Sequence, residues 1–174
     1  MYQRILAALE GKETDEVVVA HARRLAAQMK AQVTLLRIIA VADDGGGGLG
    51  RQFQLEDGSS GWRRKNQAQA DLSKLERRLG LGGLYVETVL VIGTRSEADE
   101  IVSYAAESNC DLITMASDSR PWHRRWIGGS PANGVYRKAT VPTLFVSDGT
   151  RKAPVAQAAP EANTMMAIFG SADL

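Results

Sequence analysis

Short apolar runs alternate with segments of helical periodicity along the first 147 residues. The runs lack the polar and apolar alternation of half-exposed strands, as expected of parallel strands covered on both faces. Between them, apolar residues recur every three or four positions, which indicates amphipathic helices. Residues 5–9, 33–39, 85–92, 112–116 and 141–146 are the predicted strands. The order β-α-β-α-β-α-β-α-β predicts an α/β fold, a five-stranded parallel sheet with helices on both faces.

Capping residues and glycines mark the helix boundaries. Helices are expected from Thr14 or Asp15, as the capping residue, to near Lys30, over residues 62–79, and from near Ser96. The last helix is expected to run from Ser130, a good N-cap residue, to about Ala139, with Pro131 in the first helical position. The glycine-rich segment 41–61 is predicted to be a long loop.

Composition fits one soluble domain. The chain has 174 residues, of which 44% are hydrophobic and 24% charged, so a core can form without disulfides. A net charge of +1 gives no sign of nucleic-acid binding. We expect residues 1–147 to form the domain. Residues 148–174, rich in alanine, proline and polar residues, are expected to be a loose tail, whose apolar residues 165–169 could dock on the domain or a partner.

The reactive residue types point away from metal and disulfide chemistry. Cys110 is the only cysteine, which fits a reducing compartment, and neither His21 nor His123 has a partner set suited to a metal. No apolar stretch has the length of a membrane span, and the start of the chain lacks a signal-peptide pattern. A cytoplasmic protein without membrane insertion is expected.

The segment between the fourth strand and the last helix has the features of an anion site. The Ser130-Pro131 helix start offers free N–H groups, which favour negative charge. Arg120, Arg124 and Arg125 add positive charge just before it. Neither the P-loop nor the dinucleotide fingerprint is present, so the pattern predicts a phosphate site of another type.

Four sequence segments together resemble the universal stress protein family over about residues 1–147. They are residues 5–11 at the exit of the first strand, 111–115 in the fourth, 125–130 at the helix start and 139–146 at the end. The resemblance implies an adenine nucleotide alpha hydrolase-like (Rossmann-like) fold. It also implies a cytoplasmic stress-response regulatory protein that binds ATP or AMP, with or without Mg, at the carboxyl ends of the strands.

The family's nucleotide motif, Gly-x2-Gly-x9-Gly-Ser/Thr, keeps its spacing here as Ala116-x2-Ser119-x9-Gly129-Ser130. Two glycines are replaced by small residues, which add a methyl and a hydroxymethyl group near the ligand. Glu10 stands where family members usually have an aspartate that contacts adenine. Asp118 stands where they often have a histidine near the phosphates. The resemblance implies these nucleotide contacts: Ala8, Glu10, Ile38, Met115, Ala116, Asp118, Ser119, Gly129, Ser130 and Pro131.

Three functions remain open at this point. The resemblance favours a nucleotide-binding regulatory protein that forms a homodimer through residues 141–146 and acts on a partner protein not identified by the sequence. The missing glycines favour a nucleotide-free dimeric protein-interaction module of the same fold. An enzyme that moves adenylyl or pyrophosphate groups lacks a dedicated catalytic cluster, and a slow ATPase would depend on Asp118 to activate water.

Overall fold

A computed structural model describes residues 1–40, 60–80, 83–117 and 130–147. The strands are β1 Arg4–Leu9, β2 Gln32–Ala40, β3 Val86–Gly93, β4 Leu112–Ala116 and β5 Thr143–Val146. The helices are α1 Thr14–Met29, α2 Ser60–Gly80, α3 Glu97–Glu107 and α4 Pro131–Lys138. All strand pairs are parallel, in the order β3-β2-β1-β4-β5, which confirms the predicted five-stranded sheet.

The apolar run of β1 is continuous because both faces of the strand are covered. Ile5, Ala7 and Leu9 pack in the cluster that includes α1 and α2 residues, whereas Leu6 and Ala8 pack in the cluster with α3 and α4. Each of these side chains is at most 4% exposed. Helices therefore lie on both faces of the sheet, as the sequence predicts.

The starts of α2 and β5 each differ by two residues from the predicted ones, and the other strand ends lie within one residue. Helix α2 begins at Ser60, so the predicted loop over 41–61 is wrong for its last two residues. Strand β5 begins at Thr143 instead of residue 141. Pro142 has no N–H to donate to the sheet, although its carbonyl accepts a 3.0 Å hydrogen bond from Ile113 N. The rest of the 41–61 loop and the whole predicted tail lie outside the described residues.

The strand order sets the position of the site. The chain moves from β1 outward to β3 and then returns to β4 on the other side of β1. In such sheets the crevice at the carboxyl ends of the strands, where the order reverses, is the usual ligand site. That point lies between β1 and β4. Among the described residues, no helix is long and apolar enough to cross a membrane.

Candidate functional site

A cleft of about 480 Å³ opens at the carboxyl ends of β1, β2 and β4. The sheet register aligns these ends, because Ala8 pairs with both Leu36 and Met115. The start of α4 forms another wall. The described residues that line the cleft are Glu10, Lys12, Thr14, Arg37, Ile38, Glu97, Ala116, Ser117, Ser130 and Pro131.

Half of the ten residues named from the sequence line this cleft. They are Glu10, Ile38, Ala116, Ser130 and Pro131. Ala8 and Met115 lie in the core on the α3 and α4 side of the sheet, 4% and 1% exposed, and do not line the cleft. Asp118, Ser119 and Gly129 lie outside the described residues.

The start of α4 provides the predicted helix cap. Ser130 Oγ accepts a 3.3 Å hydrogen bond from Asn133 N, and Pro131 occupies the first turn. Ser130 itself is 6% exposed, so the cap is fixed at the wall of the cleft. The free N–H groups of a helix start, together with its dipole, favour an anion there. The sequence prediction of Ser130 as N-cap is confirmed.

Asp15 fixes the turn that follows β1. Its carboxylate accepts hydrogen bonds from Glu10 N (2.9 Å), Gly11 N (2.7 Å) and Lys12 N (3.3 Å). Asp15 is 7% exposed; burial raises the pKa of its carboxyl group, and the N–H bonds act in the opposite direction. The prediction that Thr14 or Asp15 caps α1 is wrong. Glu13 is the N-cap residue and makes no side-chain cap. The Asp15 carboxylate does not cap α1 because it binds the preceding turn.

Charges of both signs line the cleft. Glu10 forms an ion pair with Lys12, whose side chain is mostly exposed. Burial, and then the neighbouring Glu10 carboxylate, raise the pKa of Glu97, while Arg37 lowers it. Two carboxylates therefore face two cations, and this end of the cleft has no excess of positive charge.

Arg37 is one of five cleft residues that the sequence reasoning missed, with Lys12, Thr14, Glu97 and Ser117. Its guanidinium lies against Gly11, where a β-carbon would be 2.6 Å from Arg37 Cζ. Nε and Nη1 of Arg37 are buried without a hydrogen-bond partner among the described residues, and so is Oγ1 of Thr14. One signal was available: Arg37 is the only charged residue in the apolar run 33–39.

A second cavity of about 390 Å³ lies toward α2, and Arg37 lines it as well. Its wall combines apolar residues such as Leu9, Ile39 and Leu72 with polar residues of α2 such as Gln67. Arg37 thus stands between two cavities. Within the described ranges, no group of three histidine, cysteine, aspartate or glutamate residues could hold a metal ion.

The fold and the cleft define a doubly wound α/β protein with a cleft at the point where the strand order reverses, the usual place for a ligand in such folds. The model of the universal stress protein family (Usp) matches residues 1–147. The chain belongs to this family.

Relatives and solved structures share the fold at low sequence identity. Universal stress protein MJ0577 of Methanocaldococcus jannaschii is 24% identical over 156 residues, covering 84% of this chain and 95% of the relative. A universal stress protein solved in complex with cAMP has a TM-score of 0.63 at 18% identity, over 84% of this chain and 97% of its own. One from Archaeoglobus fulgidus, in complex with dAMP, has a TM-score of 0.60 at 22% identity, over 83% and 97%.

Proposed function

We propose that this protein is a cytoplasmic stress-response regulator that binds an adenine nucleotide, ATP or AMP, in the cleft. One observation carries the proposal: a cleft of about 480 Å³ has the start of α4 on one wall and Glu10 with Ile38 on another. The helix start suits phosphates, and the apolar Ile38 with the Glu10 carboxylate suits a base that carries an amino group. The complexes of family members with cAMP and dAMP support this assignment.

Ala116 sets the space available to that ligand. It ends β4, is 5% exposed and lines the cleft at the first glycine position of the family motif. Its methyl group narrows the approach of a ligand to the backbone. Ala116→Gly is therefore expected to tighten nucleotide binding, and more so together with Ser119→Gly.

The direct test is mass spectrometry of small molecules released from freshly purified, heat-denatured protein, followed by calorimetric titration with ATP, ADP and AMP, with and without magnesium. Bound adenine nucleotide, or a Kd below about 1 mM, that is, a binding free energy beyond about −4 kcal/mol, supports the proposal. No binding to any of the three would contradict it. Ala7→Gly is the matched control for Ala116→Gly, because the methyl of Ala7 faces α1 and α2 and does not line the cleft.

The proposed homodimer forms through β5. In the described part of the chain, β5 is an edge strand, with Leu144 37% exposed. Tyr136 of α4 is 74% exposed, and its ring lies 6.3 Å from that of Phe145. An aromatic and aliphatic surface beside an edge strand suits pairing with a second copy. Light scattering should give a dimer for the wild type and a monomer for Leu144→Lys.

The same surface favours the alternative function, a nucleotide-free dimeric module that acts by docking to a regulatory partner. The two functions make opposite predictions for the small-molecule analysis, since the module would release no nucleotide. A dimer that binds no ATP, ADP or AMP would support the alternative.

A further inference from the structure

We propose that Arg37 and Thr14 form a hydrogen-bond donor site in the cleft that binds an acceptor ring nitrogen of the purine base. The inference rests on the proposed nucleotide binding and names the residues that recognise the base. Both side chains line the cleft and carry buried donor atoms that lack partners among the described residues.

The unpartnered atoms of Arg37 are the first argument. Buried polar groups in proteins are nearly always hydrogen-bonded, and leaving a charged donor without an acceptor is costly. Asp15, which interacts with Arg37 electrostatically, already accepts three backbone N–H groups from the turn after β1. The acceptor that Nε and Nη1 lack can therefore come from a ligand in the cleft.

Thr14 gives the second argument, independent of the first. Its hydroxyl lies at the first residue of α1 but makes no capping bond there, and Oγ1 is buried without a partner among the described residues. A threonine hydroxyl both donates and accepts. Two separate elements, β2 and α1, thus present unsatisfied polar atoms to one cleft.

The surrounding charges favour a base over a second phosphate. Glu10 and Glu97 line the cleft with Arg37, and Lys12 already pairs with Glu10. A phosphate here would meet the carboxylate of Glu97, whose pKa burial already raises. An adenine edge carries an amino donor beside a ring-nitrogen acceptor. The Glu10 carboxylate and the Arg37 guanidinium line the same cleft and match that edge in chemistry, and Ile38 offers an apolar surface to the ring.

Gly11 fits the same arrangement. The guanidinium of Arg37 occupies the space that a side chain at Gly11 would take. Asp15 accepts a hydrogen bond from the N–H of Gly11 and so fixes the turn in which Gly11 leaves room for the guanidinium. The guanidinium is thereby confined before any ligand arrives, which lowers the entropy lost on binding.

The test is calorimetric titration of the full-length protein with AMP and with its 1-deaza, 3-deaza and 7-deaza analogues. Each analogue lacks one ring nitrogen. The wild type should bind AMP at least about 10-fold more tightly than the analogue that lacks the acceptor nitrogen. This factor is expected when a ligand loses a hydrogen bond to a charged donor. Arg37→Met should weaken AMP by a similar factor and lose the preference. Thr14→Val, which keeps the shape of the side chain, should weaken AMP less.

Arg77→Met is the matched control, because Arg77 lies exposed in the last turn of α2 and its loss changes the net charge equally. It should leave both affinity and preference unchanged. Equal binding of AMP and all three analogues by the wild type, a measurement that needs no variant, would overturn the inference. So would Arg37→Met weakening AMP and every analogue by the same factor. A wild type that binds no adenine nucleotide refutes the proposed function and this inference together, whereas the other two results refute only the inference.

Discussion

Gly11 and Arg37 are in direct contact beside the cleft, where a β-carbon on Gly11 would lie 2.6 Å from Arg37 Cζ. The φ of Gly11 is also 72°, in the left-handed region. Gly11→Ala should therefore lower the free energy of unfolding by about 1–2 kcal/mol through the backbone alone. It should also displace the guanidinium and weaken AMP binding. Urea unfolding and calorimetric titration measure the two effects separately.

Gly83 supplies the control for this variant. Its φ is 73°, but no atom lies within 4 Å of the position that its β-carbon would take. Gly83→Ala should show the backbone cost without any change in AMP affinity. Equal AMP affinities of the two variants would show that Arg37 is not displaced from a ligand site.

Gly134 lets α4 approach α3 closely. A β-carbon at Gly134 would lie 2.5 Å from Cβ of Ala98, which is only 6% exposed. Alanine favours a helix by about 1 kcal/mol over glycine, whereas overpacking of this kind costs about 1–3 kcal/mol. Gly134→Ala should therefore give a net loss of stability of up to about 2 kcal/mol, measured by urea unfolding.

The second step of this test removes the obstructing methyl group. Ala98→Gly combined with Gly134→Ala should cost less stability than the two single changes cost in sum, because removal of the Ala98 methyl group makes room for the new one. Strict additivity of the two single changes would mean that the contact does not limit the packing of α3 on α4.

The sheet could be predicted from sequence because burial on both faces leaves a local signal. Residues 5–9 form a continuous apolar run and residues 112–116 one interrupted only by the buried Thr114, and their strands have the expected bounds to within one residue. The cap at Ser130 could be predicted for a similar reason, since it depends on neighbouring residues alone. The spacing of the family motif pointed to Ala116 and Ser130 as site residues, and both line the cleft.

The rest of the site depends on contacts between distant residues. Asp15 follows a predicted helix start, and nothing local shows that its carboxylate turns back to Glu10 and Gly11. Arg37 lies in a strand, where a charge is normally read as facing solvent. Only the register of β2 against β1, which pairs Arg37 with Leu9, places its side chain beside the turn.

Asp15→Ala tests whether the turn after β1 supports ligand binding. The change removes the acceptor of three backbone N–H groups and should cost about 2–4 kcal/mol of stability. Because Glu10 and Gly11 lose their anchor, AMP should also bind more weakly. Asp111→Ala is the matched control: its carboxylate accepts from Gln3 N and Arg4 N at the opposite end of β1. It should destabilise the protein without changing AMP affinity, and equal affinity losses in both variants would contradict a local role for Asp15.

Glu97 should make stability depend on pH. Burial and the nearby Glu10 carboxylate raise its pKa in the folded protein, so the protonated form is the one that folding favours. Its contribution is fully present below the unfolded-state pKa of about 4.3 and is lost as pH rises through the folded-state pKa. Glu97→Gln stays neutral, so its stability relative to the wild type should grow over that window and then level off.

Thermal unfolding from pH 4 to pH 8 measures this difference. Glu107→Gln serves as the control, because Glu107 is exposed at the far end of the same helix and its neutralisation should change stability little. A wild type more stable than Glu97→Gln at neutral pH would show that attraction between the Glu97 carboxylate and the start of α3 outweighs the cost of its burial. The expectation that burial of the Glu97 carboxylate destabilises the folded protein would then be wrong.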